Sequence, residues 1–309
     1  VTSATPTVPF GTAMALPGAT QPPATGPRLS DRDFDRLREY VYQRTGIQFA
    51  SCKRYFVDKR VHALMADYGT TEFSAYFSAL RLGDEALVQK LVNSLTVNET
   101  YFLREDYQFD CLIRSVLPRV MADREAQDLL DKPVKILSLP SSTGEEPYSI
   151  AIQLLEEWHE LDWTDVSITG GDIDTRVLDA ARAGRYGERS LQRIPERLLR
   201  KYFQPVGEDT YQIMEDLRQS VDFRQMNVCD VTEMRSYQDY DVIFCRNLLI
   251  YFDELSCRTA VENLFGALRP GGYIFLGHSE SMSRISPIFT PQRFPEGIVY
   301  QRPIRGGGR

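Results

Sequence analysis

From residue 134 to residue 276 of this 309-residue chain, short apolar runs alternate with helical stretches. The runs lie at 134–139, 166–170, 221–228, 242–245 and 273–276, and helical periodicity covers 147–158, 175–183 and 254–268. Neighbouring parallel strands cannot be joined by a tight turn; they need a crossover, usually a helix. Alternation of this kind therefore predicts an α/β fold with a parallel, doubly wound sheet. A last run at Ile298–Gln301 can add an antiparallel strand. Residues 186–220 break the alternation: a short helix opens at Pro195, with Leu198, Leu199, Tyr202 and Phe203, and a hairpin turning near 207–209 follows. A lone hairpin is marginal in water, so this inserted β-subdomain must lean on the sheet or grip something.

Upstream the period is helical throughout. Ser30 is a good N-cap, Phe34, Leu37 and Val41 share one face, and Gly46 is a stop. A second helix spans 52–68 with Phe56, Val57, Val61, Leu64 and Met65 inward. A third is capped by Thr71, with Phe73, Phe77 and Leu80 inward, and a fourth runs over 84–95 through Leu87, Leu91 and Leu95. The predicted organisation is a disordered tail (1–28, rich in Pro, Ala, Thr and Gly), an all-α N-terminal domain (29–105), a sheet domain (106–303) carrying the 186–220 insertion, and a loose terminus (304–309).

Charge and composition narrow the function. Thirty-six basic residues stand against 43 acidic ones, net −7, which disfavours a global grip on nucleic acid or an anionic membrane. No apolar run approaches the ~20 residues that span a bilayer, and the first residues lack a signal-peptide pattern. Five cysteines are scattered without C-x-x-C spacing and there are three histidines, so neither a disulfide framework nor a metal site is expected. A cytoplasmic monomer is the expectation.

Ligands of open parallel sheets bind outside the carboxyl ends of the strands. Polar residues collect there: Ser141-Ser142-Thr143-Gly144, then Asp172 and Asp174, then Asn227, then Arg246-Asn247. Each has an ordinary alternative as a cap, a dipole partner or a turn residue; their shared rim is what argues for a site. The turn after the first strand, "SLPSSTGEEPYSIAI" at 138–152, has one glycine and two acids. A dinucleotide site needs G-x-G-x-x-G and an unblocked helix N-terminus for pyrophosphate. With Glu145 and Glu146 in that place, a phosphate-free, positively charged nucleoside fits better, as S-adenosylmethionine is.

Five blocks then carry a resemblance. "LTVNETYFLRE" (95–105), "SSTGEEPYSIAI" (141–152), "GGDIDTRVLDAARAGRY" (170–186), "FCRNLLIYFD" (244–253) and "LRPGGYIFLGHSES" (268–281) occur in the order seen in chemotaxis receptor glutamate methyltransferases, CheR-type. The resemblance covers about residues 30–303. It implies a helical domain before a Rossmann-like S-adenosylmethionine-dependent methyltransferase domain with a small β-subdomain. It also implies methyl transfer to glutamates in the cytoplasmic helical domain of chemoreceptors, with S-adenosylhomocysteine as product. Carried over by position, Asn98, Thr100, Arg104, Glu146, Asp172, Asn227, Val228, Arg246 and Asn247 are implied cofactor contacts, Arg104 and Tyr251 are implied catalytic residues, and no metal is implied. Two departures stand out. Leu139-Pro140-Ser141 replaces smaller residues, and the loop "QPVGED" at 204–209 is about three residues shorter than in relatives that bind a receptor tail peptide, which implies tag-independent docking.

The chemistry agrees with the scarcity of histidine. A glutamate with an ordinary pKa of ~4.3 is ionised at neutral pH and needs no general base. Carboxylate and sulfonium become neutral products, so an arginine gripping the substrate carboxylate would favour the ground state; Arg104 is therefore expected mainly to hold the cofactor or to orient the glutamate loosely. Tyr251 can orient the sulfonium. Lys53, Arg54, Lys59 and Arg60 make the second helix basic, either as a solvated face or as the docking surface for an acidic receptor helix. The competing reading is a catalytically weak cofactor-binding scaffold or sensor.

Overall fold

A computed structural model of the chain describes residues 28–304; the expected tail and loose terminus lie, but for Arg28 and Ile304, outside the described residues. Four helices come first: α1 (Asp31–Thr45), α2 (Arg54–Asp67), α3 (Phe73–Arg81) and α4 (Glu85–Leu95). Ser30 accepts the Asp33 N–H, and α1 stops at Gly46, whose φ of 73° is the left-handed geometry that favours glycine. Phe34, Leu37, Val41, Val61, Tyr76, Leu80 and Leu91 close one apolar core between these helices. Two starts differ from expectation. A 3₁₀ turn (Ser51–Lys53) precedes α2, and α3 begins after Glu72 with no side-chain cap, leaving Thr71 outside the helix.

The second layer begins with α5 (Tyr107–Cys111), a π turn (Leu112–Val116) and α6 (Leu117–Ala126). Then come β1 (Val134–Ser138), α7 (Glu145–Glu157), β2 (Val166–Asp172) and α8 (Thr175–Ala183). The insertion holds β3 (Arg185–Gly187), α9 (Glu188–Leu191), α10 (Glu196–Tyr202), β4 (Phe203–Pro205), β5 (Thr210–Ile213) and α11 (Glu215–Gln219). The chain finishes through β6 (Val221–Gln225), α12 (Val231–Met234), β7 (Tyr240–Cys245), α13 (Glu254–Ala267), β8 (Leu268–Leu276), β9 (Thr290–Arg293) and β10 (Ile298–Gln301).

The large sheet has the order β6-β2-β1-β7-β8-β10-β9. Pairing is parallel from β6 to β8, and β10 runs antiparallel to both β8 and β9. Alternate residues of the central strands face opposite sides. Ile136, Val242, Phe244 and Phe275 pack under α5–α8; Leu137, Ile243, Cys245 and Ile274 pack under α13. A sheet covered on both faces is what the near-continuous apolar runs required. Strand order reverses between β1 and β7, so the ligand crevice lies outside their carboxyl ends. One boundary moves: β6 ends at Gln225, so Asn227 and Val228 belong to the loop beyond it.

The insertion is a three-stranded antiparallel sheet, β3-β5-β4, and it does lean on the main domain. Tyr186, Phe203, Ile213 and Leu217 join the core that underlies β1 and β7. Phe102 stands edge-on to Tyr186 at 4.8 Å and to Phe203 at 5.2 Å. On α7, Glu156 receives Lys201 Nζ at 2.6 Å and the Tyr202 hydroxyl at 2.7 Å, tying α10 down. Burial opposes ionisation of that carboxyl, but these bonds and Arg197 hold it down at about 2.

Candidate active site

Gly144 has φ 95°, and a Cβ there would lie 3.0 Å from Ala181 Cβ and from the Tyr148 ring. The glycine thus serves a left-handed turn and the close approach of α7 to α8, not a phosphate. Its turn has few amides to offer: the N–H groups of Leu139, Ser141 and Gly144 bond to the carbonyls of Phe244, Gly171 and Ser141, and Ser142 N–H donates to Asp172 Oδ2 at 2.8 Å. The two glutamates that follow diverge. Glu145 turns to the insertion, accepting from Thr143 Oγ1 at 2.6 Å and Ser190 Oγ at 2.8 Å. Glu146 turns to the crevice, where Ser138 Oγ donates at 2.7 Å and Arg246 Nη1 lies at 3.3 Å. Burial raises both carboxyls above the ordinary range, opposed at Glu146 by Arg246.

At the end of β2, Asp172 accepts the N–H groups of Ser142 and, at 2.9 Å, Asp174. Burial outweighs these bonds and pushes its carboxyl up to about 6. Asp174 is fully buried. It caps α8 through the Arg176 N–H and takes the Thr96 hydroxyl at 2.6 Å and Asn98 Nδ2 at 2.9 Å. Asn98 therefore hangs from the second strand's loop. Arg104, in the same connection, donates to the Glu99 carbonyl at 3.1 Å and lies 5.9 Å over the Tyr101 ring. Thr100 is half-buried between them.

At the end of β7, the Arg246 guanidinium points inward. It donates to the Arg104 carbonyl at 2.6 Å, lies 3.7 Å from Glu105 and sits 5.7 Å from the Phe109 ring. Asn247 takes φ 59° and donates its N–H to Glu280 Oε2 at 2.8 Å. Tyr251 ends a 3₁₀ turn (Leu249–Tyr251). Its carbonyl accepts from Gln48 N–H at 3.2 Å, and Lys53 Nζ lies 5.5 Å above its ring. Burial, with Glu99 adding and Arg104 opposing, raises its phenol, so it stays neutral at physiological pH.

Several candidates do not point into the crevice. Asn227 accepts the Cys229 N–H in its own turn and donates to the Arg44 carbonyl of α1 at 2.8 Å. The Val228 side chain lies in the apolar core, and its carbonyl takes Asn263 Nδ2 at 2.8 Å. Of the basic residues on and before α2, Lys53 and Lys59 are exposed. Arg54 is held by Asp31 at 2.6 Å, Asp58 at 3.3 Å and the Leu29 carbonyl, over the Phe34 ring. Arg60 donates to the Ser94 carbonyl and lies over Phe56 at 4.1 Å. Sequence reasoning passed over Glu105 and Glu280; the one available signal for Glu280 was its place in the loop directly after a central strand.

The donor set suits a cationic nucleoside better than a pyrophosphate. Two carboxylates with raised pKa stand at adjacent strand ends, and the amides of Leu139, Ser141, Ser142 and Gly144 are used within the protein. Ser141 Oγ and Arg246 Nε and Nη1 are buried polar atoms without a hydrogen-bond partner among the described residues. Fold and rim together define a methyltransferase domain that binds S-adenosylmethionine. The comparisons with known proteins make this specific: the chain belongs to the CheR methyltransferase family, matching its SAM-binding domain over residues 98–297 and its all-alpha domain over residues 32–96. It is 46% identical over 281 residues to chemotaxis protein methyltransferase 2 of Vibrio cholerae, covering 90% of this chain and 95% of that one. It is 36% identical to chemotaxis protein methyltransferase 2 of Pseudomonas aeruginosa (88% and 95%) and 33% identical to the chemotaxis protein methyltransferase of Escherichia coli (85% and 88%).

Proposed function

We propose that the protein methylates glutamate side chains of chemoreceptors, forming methyl esters that tune a chemosensory response. The observation that carries this is the junction at Tyr251: an acid-lined rim on one side meets, through Lys53, an exposed basic stretch of the helical layer on the other. When bound, S-adenosylmethionine would supply a methyl group to a glutamate oxygen of the receptor, leaving S-adenosylhomocysteine. Glu146 and Asp172 hold the cofactor, with Asn98, Thr100 and Asn247 around it. Arg246, whose guanidinium is bound to the Arg104 carbonyl and the acids, acts by fixing Arg104 and Glu146. Asn227 and Val228 shape the floor through their backbone. The phenol of Tyr251 orients the reacting groups. No residue need take a proton, and positioning can supply ~7–11 kcal/mol. The short turn at 206–209, closed by Val206 N–H on the Thr210 carbonyl at 2.9 Å, supports docking that does not use a receptor tail peptide.

Labelled methyl transfer to receptor helical fragments, with and without their C-terminal tails, tests the reading. Base-labile label at equal rates on both is expected. Labelling of no receptor fragment, with transfer to nucleic acid or a small molecule instead, would overturn it. Arg104→Ala should weaken cofactor binding together with rate; unchanged affinity with a lost rate would move Arg104 from holding to catalysis.

A further inference from the structure

Glu280 lies in the loop after β8, outside every role assigned above, yet three backbone amides from two strand ends converge on its carboxylate. Oε2 accepts the N–H groups of Asn247 at 2.8 Å and Gly277 at 2.9 Å, and Oε1 accepts that of Leu249 at 2.8 Å. Two of these donors belong to the turn that carries Asn247 and Tyr251. Asn247 in that turn holds a left-handed φ of 59°, a conformation that asparagine reaches more readily than most residues and that a neighbour accepting its N–H can steady. The carboxylate is the neighbour that does so. Gly277 fits the same purpose, since a Cβ there would lie 2.9 Å from Glu280 Oε2 and 3.0 Å from Asn247 Nδ2. Burial raises the Glu280 carboxyl while the amides oppose it, as for an acceptor-only group gathered around donors.

We propose that Glu280 is a positioning residue: it gathers the amides of the 247–251 turn and thereby sets where Asn247 and the Tyr251 ring stand at the rim. The consequence for catalysis rests on the methyl-transfer reading above; the consequence for the turn does not. Glu280→Gln keeps the size but replaces one acceptor oxygen by an NH₂ that faces an N–H donor. In the full chain, with 3-fluorotyrosine placed at position 251, this variant should shift or broaden the fluorine resonance. It should also lower kcat at least tenfold while the KM for the receptor fragment stays within twofold. A merely structural role would lower yield or Tm and leave the resonance and the kcat of folded protein in place, and that result overturns the proposal. Glu280→Asp, which keeps the charge but draws the carboxylate back from the amides, should move the resonance and kcat in the same direction, and it decides the matter if the Gln variant does not fold; an unmoved resonance in Glu280→Asp then overturns the proposal. If the unaltered protein methylates no receptor fragment, the methyl-transfer reading fails by itself, and the resonance still reports on Glu280.

Discussion

On the sheet side of the crevice, Asp172 and Asp174 are almost wholly buried, and like Glu146 and Glu280 each accepts at least one donor from the protein itself. On the helical side, Lys53 and Lys59 stand in solvent, and Lys53 lies over the Tyr251 ring. Under the proposed function, the groups that present one geometry to one small cofactor are held by amides and side chains of the protein, which cost little reorganisation once folded. The groups proposed to meet a large acidic partner stay loose, where charge steers encounter more than it adds affinity. The contrast also divides the basic stretch: Arg54 and Arg60 follow the locked pattern, with internal acceptors, and belong to the fold rather than to the free surface.

Substitutions can break or sharpen this contrast. The largest effect is expected at Gly144→Ala, where left-handed backbone and a 3.0 Å contact add up to about 2–4 kcal/mol of lost stability, read by denaturant unfolding. Next comes Asp172→Asn, which forfeits a charged acceptor and should raise the cofactor Kd roughly 10–100-fold by calorimetry. Asp172 also sets a pH signature. Its folded pKa of about 6 lies above the ordinary value, so its ionisation opposes folding fully above pH 6 and ceases to oppose it below the unfolded value near 4. Acidification through this window should therefore weaken cofactor binding while this residue's share of fold stability improves, and both trends should vanish in the Asn variant. A third change, Arg54→Ala, should cost about 1–3 kcal/mol by thermal unfolding, because it strands Asp58 and the Leu29 carbonyl. Smallest is the double change Lys53→Glu with Lys59→Glu. Stability should stay within about 0.5 kcal/mol, while the receptor KM rises several-fold at low salt and the effect fades as salt screens it. A stability loss equal to that of Arg54→Ala would erase the distinction between the two walls.

The central sheet was legible because buried parallel strands must be apolar for their whole length, and such runs stand out beside amphipathic helices. Of the elements that escaped, two regions show why. Thr290–Arg293 (β9) is a short polar edge strand held by pairing with β10, so no burial pattern marks it. The helical run over α5, the π turn and α6 did carry an apolar face in Phe109, Leu112, Val116 and Val120, but Pro118, admitted at the start of α6, masks it. At the site, strand-end position pointed to Asp172, Glu146 and Asn247. Orientation was not legible: that Arg246 turns inward, that Glu145 and Glu146 part company and that Asn227 reaches α1 depend on contacts between residues far apart in the chain.

Thr96 and Asn98 lie in the connection between the helical layer and the sheet, and both bond Asp174; Gln89 and Asn93 of α4 reach the Ile173 carbonyl and Thr175 just beyond. The helical layer is consequently no interchangeable cap. A chimera that swapped it for another at residue 95 would lose Gln89 and Asn93 and with them the bonds that steady the 173–175 turn, and a graft meant to redirect such an enzyme to a new receptor would have to bring this polar seam along with it.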